Sequence, residues 1–247
     1  MNTDTELPKG DQRKNYVKVM FNNIANRYDL LNHLLSFGID HRWRKKTIAK
    51  LEVERNALVL DAASGTGDLA FEAIKQKSCK VIGIDLALKM LKIGTDKRTQ
   101  KSYINELLLT NGDAERLPFR DDTFDSAMIA FGIRNMGNMQ KALEEIRRTL
   151  KEGGPFVILE FSLPAFALLR SVYLFYFKNI LPRLGRVVSG DKAAYTYLPD
   201  SVNDFPEIPE FIKILSQAGF VKIEHWKLLN GIAVIYRGVK SRNKSSK

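Results

Sequence analysis

A strand-like apolar run that ends in a glycine-rich turn constrains this 247-residue chain more than any other feature. The run is Leu58-Val59-Leu60-Asp61, and the turn after it reads Ala63-Ser64-Gly65-Thr66-Gly67. Glycines at such a turn let the backbone approach a ligand that a Cβ would obstruct. The next segment, Leu69 to Lys75, reads as a helix whose first N–H groups would face that ligand. The pattern predicts a βα unit with a ligand at its turn, and an ordinary βα turn is the alternative.

Three later segments repeat the arrangement. Each strand-like run is followed by an acid or a glycine: Lys80 to Ile84 by Asp85, Glu106 to Leu109 by Asp113, and Ser126 to Phe131 by Gly132. Open α/β sheets bind their ligands at the carboxyl ends of parallel strands, and an acid in the place of Asp85 meets ribose hydroxyls in dinucleotide-binding folds. We therefore predict an α/β fold with a nucleoside ligand at one sheet edge. This geometry serves nicotinamide cofactors and S-adenosylmethionine alike.

The C-terminal part of the sequence distinguishes between these two possible cofactors. Two strand-like runs, Val221 to Leu228 and Ile232 to Arg237, are joined across Asn230-Gly231, a dipeptide that favours a type I′ turn and hence an antiparallel hairpin. A mostly parallel sheet closed by such a hairpin resembles the class I S-adenosylmethionine methyltransferase fold, which is Rossmann-like. The stretches DAASGTGD, GID and GDAERLPF resemble the cofactor motifs of that fold in sequence order. A dehydrogenase is disfavoured accordingly.

Composition sets the outer limits. At 45% hydrophobic residues the chain supports one α/β core, and we predict a single domain over residues 1–247. Its one cysteine, Cys79, excludes a disulfide framework and a cysteine zinc site, which indicates a reducing compartment. The N-terminus lacks the apolar core of a signal peptide, so we expect a cytoplasmic protein. None of the three histidines is paired at metal-ligand spacing, and no metal is expected.

The net charge of +11, with a pI near 9.6, calls for an explanation. Basic residues gather in three places: Arg42, Arg44, Lys45 and Lys46; Arg183 and Arg186; and the tail Lys240 to Lys247, which we expect to be disordered. Such clusters suit nucleic acid or an anionic membrane surface, and a solvated basic face without a partner is the bland alternative. No RNA-binding module or aromatic stacking platform is recognisable, so nucleic acid is not expected.

An apolar segment over residues 163–184 favours the membrane. It is dense in Leu, Phe and Tyr, but Arg170, Lys178 and Pro182 interrupt it before it could span a bilayer. Its apolar side chains cover more of a helix than one core-facing stripe requires. The segment is either a buried helix or part of an insertion, residues 163–200, that shelters a lipophilic substrate or rests on the inner face of the cytoplasmic membrane.

The stretch YDLLNHLLSFGIDHRWR, from Tyr28 to Arg44, resembles the N-terminal motif of the menaquinone and ubiquinone biosynthesis C-methyltransferases. Further stretches agree in the order of that family: FGIRN at 131–135, LKEGG at 150–154, LEFS at 159–162, LP at 181–182 with Gly185, SG at 189–190 and AYTYLPDS at 194–201. The resemblance covers about residues 13–240. The chain departs from the family at Glu152, where proline is usual, and at Tyr236, where a histidine is common. Ala130 stands where some relatives carry a serine.

This resemblance implies methyl transfer from S-adenosylmethionine to a ring carbon of a prenylated quinol, most directly demethylmenaquinol. Methylation of a ubiquinone precursor, a sterol or an RNA is an alternative, and so is a cofactor-binding membrane protein without catalysis. The expected partners are the prenylated quinol, an anionic membrane and a second copy of the chain as a homodimer. An N-terminal helical segment, residues 11–50, and the 163–200 insertion would build the acceptor site.

The resemblance also implies roles for the residues at the sheet edge. Gly65, Thr66 and Gly67 would contact the methionine part of the cofactor, and Asp85 would accept hydrogen bonds from the ribose hydroxyls. Asp113 and the backbone of Ala114 would meet the adenine ring. Asp61 either joins this group or makes a purely structural hydrogen bond.

Catalysis requires a group that stabilises an aryl oxide, because a ring carbon becomes nucleophilic when the adjacent phenol, with a pKa near ~10, loses its proton. Arg134 could hold the oxyanion or orient a water, and a salt bridge to a sheet-end carboxylate is its structural alternative. The candidates for the base are His41 and Asp29, either of which could instead fix the N-terminal helix. Tyr28 and Trp43 could line the quinone slot, and the alternative is that they are core residues. Glu160 and Tyr195 are further polar candidates for the site.

Overall fold

A computed structural model describes residues 7–36, 38–164, 166, 170, 171, 175 and 192–242, with only the backbone described at 30–35 and 192–196. Its helices are α1 (Gly10–Leu35), α2 (Ile39–Ala49), α3 (Asp68–Lys77), α4 (Leu88–Gln100), α5 (Met139–Thr149), α6 (Lys192–Asn203) and α7 (Ile208–Gln217). A short 3-10 turn lies at Ile133–Asn135, and a tight turn with positive φ angles lies at Leu229–Gly231. The first two helices lie within residues 10–49, where a helical segment was expected at 11–50. Most of the 163–200 insertion, including Arg183 and Arg186, lies outside the described residues, as do the last five residues of the basic tail.

The strands of the described residues form one seven-stranded sheet. They are β1 (Leu58–Ala62), β2 (Lys80–Asp85), β3 (Leu107–Asn111), β4 (Ser126–Ala130), β5 (Pro155–Phe161), β6 (Phe220–Leu228) and β7 (Ala233–Lys240). The order across the sheet is β3-β2-β1-β4-β5-β7-β6. The first five strands are parallel, whereas β7 runs antiparallel to both β5 and β6. The predicted α/β fold, with its parallel sheet and C-terminal hairpin, is confirmed.

The central strands are buried on both faces, as expected for a parallel sheet covered by helices. On one face, Leu60, Ile129 and Ile158 pack in a core that α5 and α7 cover with Leu143, Ile146, Phe211 and Leu215. On the other face, Val59, Met128 and Val157 pack against residues of α2 and α3, among them Ile48, Leu69 and Ile74. Alternate residues of each strand therefore serve opposite cores, which fixes the register of the sheet.

The hairpin turn agrees in part with its prediction. Asn230 and Gly231 have positive φ of 54° and 96°, and the N–H of Ile232 donates to the carbonyl of Leu229 at 3.3 Å, as a type I′ turn requires. The strand ladder, however, ends at the pair Leu228 and Ala233, so the connection has four residues. Leu229 also takes a positive φ, 43°, which separates the turn from the ladder.

Two basic residues are placed differently from the sequence-based expectation. Arg44 is buried, so it does not belong to the exposed basic face formed by Arg42, Lys45 and Lys46. Lys240 is the last residue of β7, and its ammonium group contacts Asp122 at 2.8 Å and the carbonyl of Leu150 at 2.6 Å. Ordered structure therefore extends into the predicted tail. Among the described residues, no helix combines the length and apolarity needed to cross a membrane.

Candidate functional site

The candidate site lies at the carboxyl end of β1, where the strand order reverses between β1 and β4. Ligands of open α/β sheets bind at this point, outside the carboxyl ends of the strands. Two non-glycine residues directly after β1 and β4, Ala63 and Phe131, have positive φ of 55° and 56°. Such backbone strain gathers at functional sites. The ends of the two strands also meet closely, because a Cβ on Gly132 would lie 2.8 Å from that of Ala63.

The glycine-rich turn after β1 is tied to the end of β2. Gly65 and Gly67 have φ of 55° and 82°, values that glycine adopts without strain. The N–H of Gly65 donates to Asp85 Oδ2 at 2.8 Å, and the N–H of Ser64 donates to the carbonyl of Ile84 at 3.0 Å. The structure therefore brings Gly65 and Asp85 together, as expected, and adds a direct hydrogen bond between them.

Asp85 has the environment of a carboxylate that can still accept hydrogen bonds. Its other oxygen, Oδ1, accepts from the N–H of Ala87 at 2.8 Å. An ionised carboxylate offers about four acceptor positions, so these two bonds leave room for ribose hydroxyls. Burial raises the pKa of Asp85 above its ordinary value, and the backbone N–H groups oppose that rise.

Asp113 and Ala114 lie on the loop after β3, at the same edge. The N–H of Gly112 donates to the carbonyl of Asp85 at 3.1 Å, which links this loop to β2. Asp113 Oδ1 accepts from the N–H of Glu115 at 2.9 Å, and its Oδ2 pairs with Lys14 Nζ at 3.0 Å. Lys14 belongs to α1, and the sequence analysis did not single it out. The N-terminal helix is thus anchored beside the expected adenine position.

Thr66 is part of an ion-pair cluster that includes a second residue of α1. Its hydroxyl donates to Asp29 Oδ1 at 2.7 Å and accepts from Lys97 Nζ at 3.1 Å. Lys97 also pairs with Asp29 at 2.6 Å and with Asp68 at 2.7 Å. Asp29, a candidate base, is therefore the counter-ion of Lys97. This contact supports its alternative role, which is to fix the N-terminal helix.

A cavity opens directly beside this turn. The described residues that line it are Tyr28, Arg44, Asp61, Ala63, Ser64, Gly65, Thr66, Asp68, Leu69 and Ala130. Two buried oxygens of these residues, Asp61 Oδ2 and Ser64 Oγ, have no hydrogen-bond partner in the described part of the chain. Burial raises the pKa of Asp61 well above its ordinary value, and the nearby Asp85 raises it further. An unpartnered buried carboxylate is costly, which points to a ligand that supplies a donor.

Arg134 is not among the described residues that line the cavity, and it forms the salt bridge that was its structural alternative. Its Nη1 lies 2.5 Å from Glu160 Oε1 and donates to the carbonyl of Phe131 at 2.8 Å, while its Nε contacts Ser201 Oγ at 3.3 Å. Glu160, at the end of β5, is fully buried. Burial raises the pKa of Glu160, and the positive charge of Arg134 opposes that rise.

The other candidates divide between core and surface. Trp43 packs with Phe131 and Phe161 in a core between α2 and the ends of β4 and β5, so the structure supports its core interpretation. Tyr28 lines the cavity beside the glycine-rich turn, and its role at a quinone slot stays a prediction. His41 is exposed on α2 and does not line the cavity, so the structure gives no support to His41 as the base. The side chain of Tyr195 lies outside the described residues.

Comparison with known proteins gives consistent results. The profile of the ubiE/COQ5 methyltransferase family matches residues 9–240. The chain is 43% identical over 226 residues to the "Ubiquinone/menaquinone biosynthesis C-methyltransferase UbiE" of Geobacter sp. (strain M21), covering 91% of this chain and 96% of that one. It is 41% identical over 239 residues to the "Demethylmenaquinone methyltransferase" of Porphyromonas gingivalis, covering 96% of both chains.

Solved structures share the fold at low sequence identity. A SAM-dependent methyltransferase of Thermotoga maritima, described as a possible histamine N-methyltransferase, superposes with a TM-score of 0.64 at 21% identity, covering 91% of this chain and 99% of that one. The [4+2]-cyclase SpnF superposes with a TM-score of 0.69 at 14% identity, covering 95% and 97%. At such identities these structures support the fold alone, and the substrate has to be argued from the site and the family.

Proposed function

Because the chain belongs to the ubiE/COQ5 methyltransferase family, and is thus an S-adenosylmethionine-dependent C-methyltransferase of quinone biosynthesis, we propose that it converts demethylmenaquinol to menaquinol. The relative from Porphyromonas gingivalis carries the name of this reaction and matches nearly the whole chain. A ubiquinone precursor is the second candidate, because the relative from Geobacter is named for both quinones.

One observation supports this cofactor site most directly: Asp61 Oδ2 and Ser64 Oγ are buried at the cavity without partners among the described residues. The methionine part of S-adenosylmethionine carries an ammonium group, which is a triple hydrogen-bond donor. We assign the ammonium group to Asp61, which the sequence analysis left between a ligand contact and a structural role. Asp85 would hold the ribose hydroxyls, and Asp113 with the backbone of Ala114 would hold the adenine.

S-adenosylmethionine supplies, when bound, an electrophilic methyl group on a positively charged sulfur. The protein has to hold the quinol with its ring carbon facing that methyl group and to favour the ionised phenol. We propose that Arg134 supplies the positive charge near the aryl oxide, from its place just after β4. Glu160 would act as a positioning residue, because its buried carboxylate fixes the guanidinium. We do not assign the proton to His41, because its side chain is exposed on α2.

Methyl-labelled cofactor tests this proposal. We expect wild-type protein to label demethylmenaquinol, and to label a ubiquinone precursor more slowly and RNA not at all. The Asp85→Ala variant should bind cofactor about 10- to 100-fold more weakly, because hydrogen bonds to a charged group contribute about 1.5–3 kcal/mol. Glu144→Ala, an exposed acid on α5, is the matched control and should bind like wild type. Tight cofactor binding without labelling of any quinol would contradict the proposal and favour a non-catalytic protein.

We further propose that the protein meets its prenylated acceptor at the inner face of the cytoplasmic membrane. The net charge of +11 favours an anionic surface, and Phe166 and Phe175 expose 66% and 60% of their surface on either side of Arg170 in sequence. We expect co-sedimentation with vesicles that contain anionic lipid and less with neutral vesicles, and the difference should shrink at high salt. Equal binding to both kinds of vesicle would contradict this electrostatic account.

A further inference from the structure

Arg44 is the only cation among the described residues that line the cavity. Arg44 stands in sequence beside Arg42, Lys45 and Lys46, which predicts an exposed basic cluster, but only 5% of its surface is exposed. It lies on the face of α2 that also carries Asp40, Trp43, Thr47 and Ile48, all of them buried. A buried guanidinium is rarely retained without acceptors, so its presence at a cavity requires an explanation.

The guanidinium is held in one orientation by its neighbours. Its Nη1 donates to Asp40, and Asp40 in turn accepts from the hydroxyl of Ser36 at 2.7 Å. Its Cζ lies 5.7 Å from the centre of the Phe131 ring. Among the described residues, Asp40 is the one acceptor of a hydrogen bond from the guanidinium. The guanidinium donates to it through a single nitrogen, Nη1. An arginine has five N–H donors in a planar fork, so capacity for a second carboxylate remains.

Two acids line the same cavity: Asp68, which pairs with Lys97 at 2.7 Å, and Asp61. Asp61 does not form a salt bridge with Arg44 in the described part of the chain, and its Oδ2 is without a partner. The two side chains nevertheless interact electrostatically, since Arg44 lowers the pKa of Asp61 against the rise that burial causes. A carboxylate and a guanidinium that face one cavity without contacting each other match a ligand that carries an ammonium and a carboxylate on one carbon.

We propose that Arg44 binds the carboxylate of the methionine part of S-adenosylmethionine, opposite the ammonium group held by Asp61. This inference rests on the proposed function, because it deepens the description of the same cofactor site. Asp61 and Arg44 would then bind the amino-acid end of the cofactor through opposite charges. Asp85, which ends β2, and Asp113, which follows β3, would bind the nucleoside end. The competing arrangement places the carboxylate on backbone N–H groups at the start of α3, with Arg44 as a purely structural partner of Asp40.

Isothermal titration calorimetry with three ligands separates these arrangements. The ligands are S-adenosylmethionine, its decarboxylated analogue, which lacks only the carboxylate, and 5′-methylthioadenosine, which lacks the whole amino-acid end. We expect wild-type protein to prefer S-adenosylmethionine over the decarboxylated analogue by about 10- to 100-fold. The double variant Asp40→Asn with Arg44→Gln removes both charges of this ion pair together, so neither of the two partners is left as a lone buried charge.

We expect the double variant to lose most of that preference while it binds the decarboxylated analogue within about 3-fold of wild type. Arg44→Lys keeps the charge but loses the planar fork, and should reduce the preference by about 3- to 10-fold. Arg42→Gln, an exposed neighbour on α2, is the control and should keep the preference. Retention of the full preference in both Arg44 variants would overturn the inference. Failure of wild type to bind any of the three nucleosides would overturn the proposed function as well.

Discussion

Replacing Asp61 with asparagine is expected to stabilise the cofactor-free protein and to weaken cofactor binding at the same time. Asp61 is 1% exposed, and one of its oxygens has no partner in the described part of the chain. Burial raises the pKa of Asp61 in the folded protein above its value in the unfolded chain. The folded state therefore binds this proton more tightly than the unfolded state does. The contribution of Asp61 is favourable below the unfolded pKa and is lost as the pH rises through the folded pKa.

Above the raised pKa of Asp61 the wild-type protein carries a buried charge with one oxygen unpartnered among the described residues, whereas the amide carries no charge. We expect Asp61→Asn to raise the free energy of unfolding by about 1–2 kcal/mol and the melting temperature by about 3–8 °C. Cofactor affinity should fall about 10- to 100-fold. Wild-type affinity should also decline as the pH falls through the raised pKa of Asp61, and the variant should lack this step. Thermal melts and calorimetry over a pH series that begins at the ordinary pKa of a carboxyl group and extends to alkaline pH measure both effects.

Asp125→Asn is the matched control for stability. Burial acts to raise the pKa of Asp125, but hydrogen bonds from Lys151 and the N–H of Leu58 outweigh it, so that the pKa is lowered. Its removal should therefore lower stability at neutral pH and leave cofactor binding unchanged. A loss of stability in Asp61→Asn as well would show that Asp61 is a satisfied structural residue, contrary to the present account.

The second large effect is expected at Arg134. The Arg134→Ala variant leaves Glu160, which is fully buried, without its counter-ion. Breaking a buried ion pair in this way costs about 3–5 kcal/mol, a large part of the 5–15 kcal/mol that stabilises a typical domain. The double variant Arg134→Met with Glu160→Gln removes both charges and should regain most of this stability. Chemical denaturation of the three proteins measures the difference.

Activity of the double variant then separates the two roles of Arg134. If the guanidinium stabilises the aryl oxide, turnover should stay about 100-fold below wild type while cofactor affinity is nearly unchanged. Recovery of turnover together with stability would show that Arg134 serves only as the salt-bridge partner of Glu160. Equal loss of cofactor affinity in Arg134 and Asp85 variants would contradict the division of roles between them.

The sheet edge could be predicted from the sequence because its signals are local. Each of the parallel strands β1 to β4 is a short apolar run with an acid or glycine soon after it, and parallel strands bring those positions to one edge. Gly65, Thr66, Asp85 and Asp113 lie at that edge as expected. The antiparallel hairpin could also be predicted from the sequence, because the dipeptide Asn230-Gly231 strongly favours a type I′ turn.

The contacts of α1 could not be predicted in this way. Lys14 meets Asp113 across 99 residues of sequence, and Asp29 meets Thr66 across 37. Neither partner is marked by spacing or composition, because such pairs depend on how a helix packs on the finished sheet. Homodimer formation also stays a prediction.

The burial of Arg44, unlike the contacts of α1, could be predicted from the local sequence. Asp40, Trp43, Arg44, Thr47 and Ile48 follow the i, i+3, i+4, i+7, i+8 spacing of one helix face, and all five are buried. The spacing excludes His41 from that face and includes Arg44. Helical position therefore predicts a buried Arg44 and an exposed His41, the reverse of what residue type alone suggests.

A crystal structure of the protein with S-adenosylhomocysteine tests the central claim most directly. We predict that the ammonium group of the ligand lies within hydrogen-bond distance of Asp61 Oδ2, its ribose hydroxyls on Asp85 and its adenine beside Asp113. A nucleoside bound away from the carboxyl ends of β1, β2 and β3, or an Asp61 carboxylate still without a donor in the complex, would contradict the account.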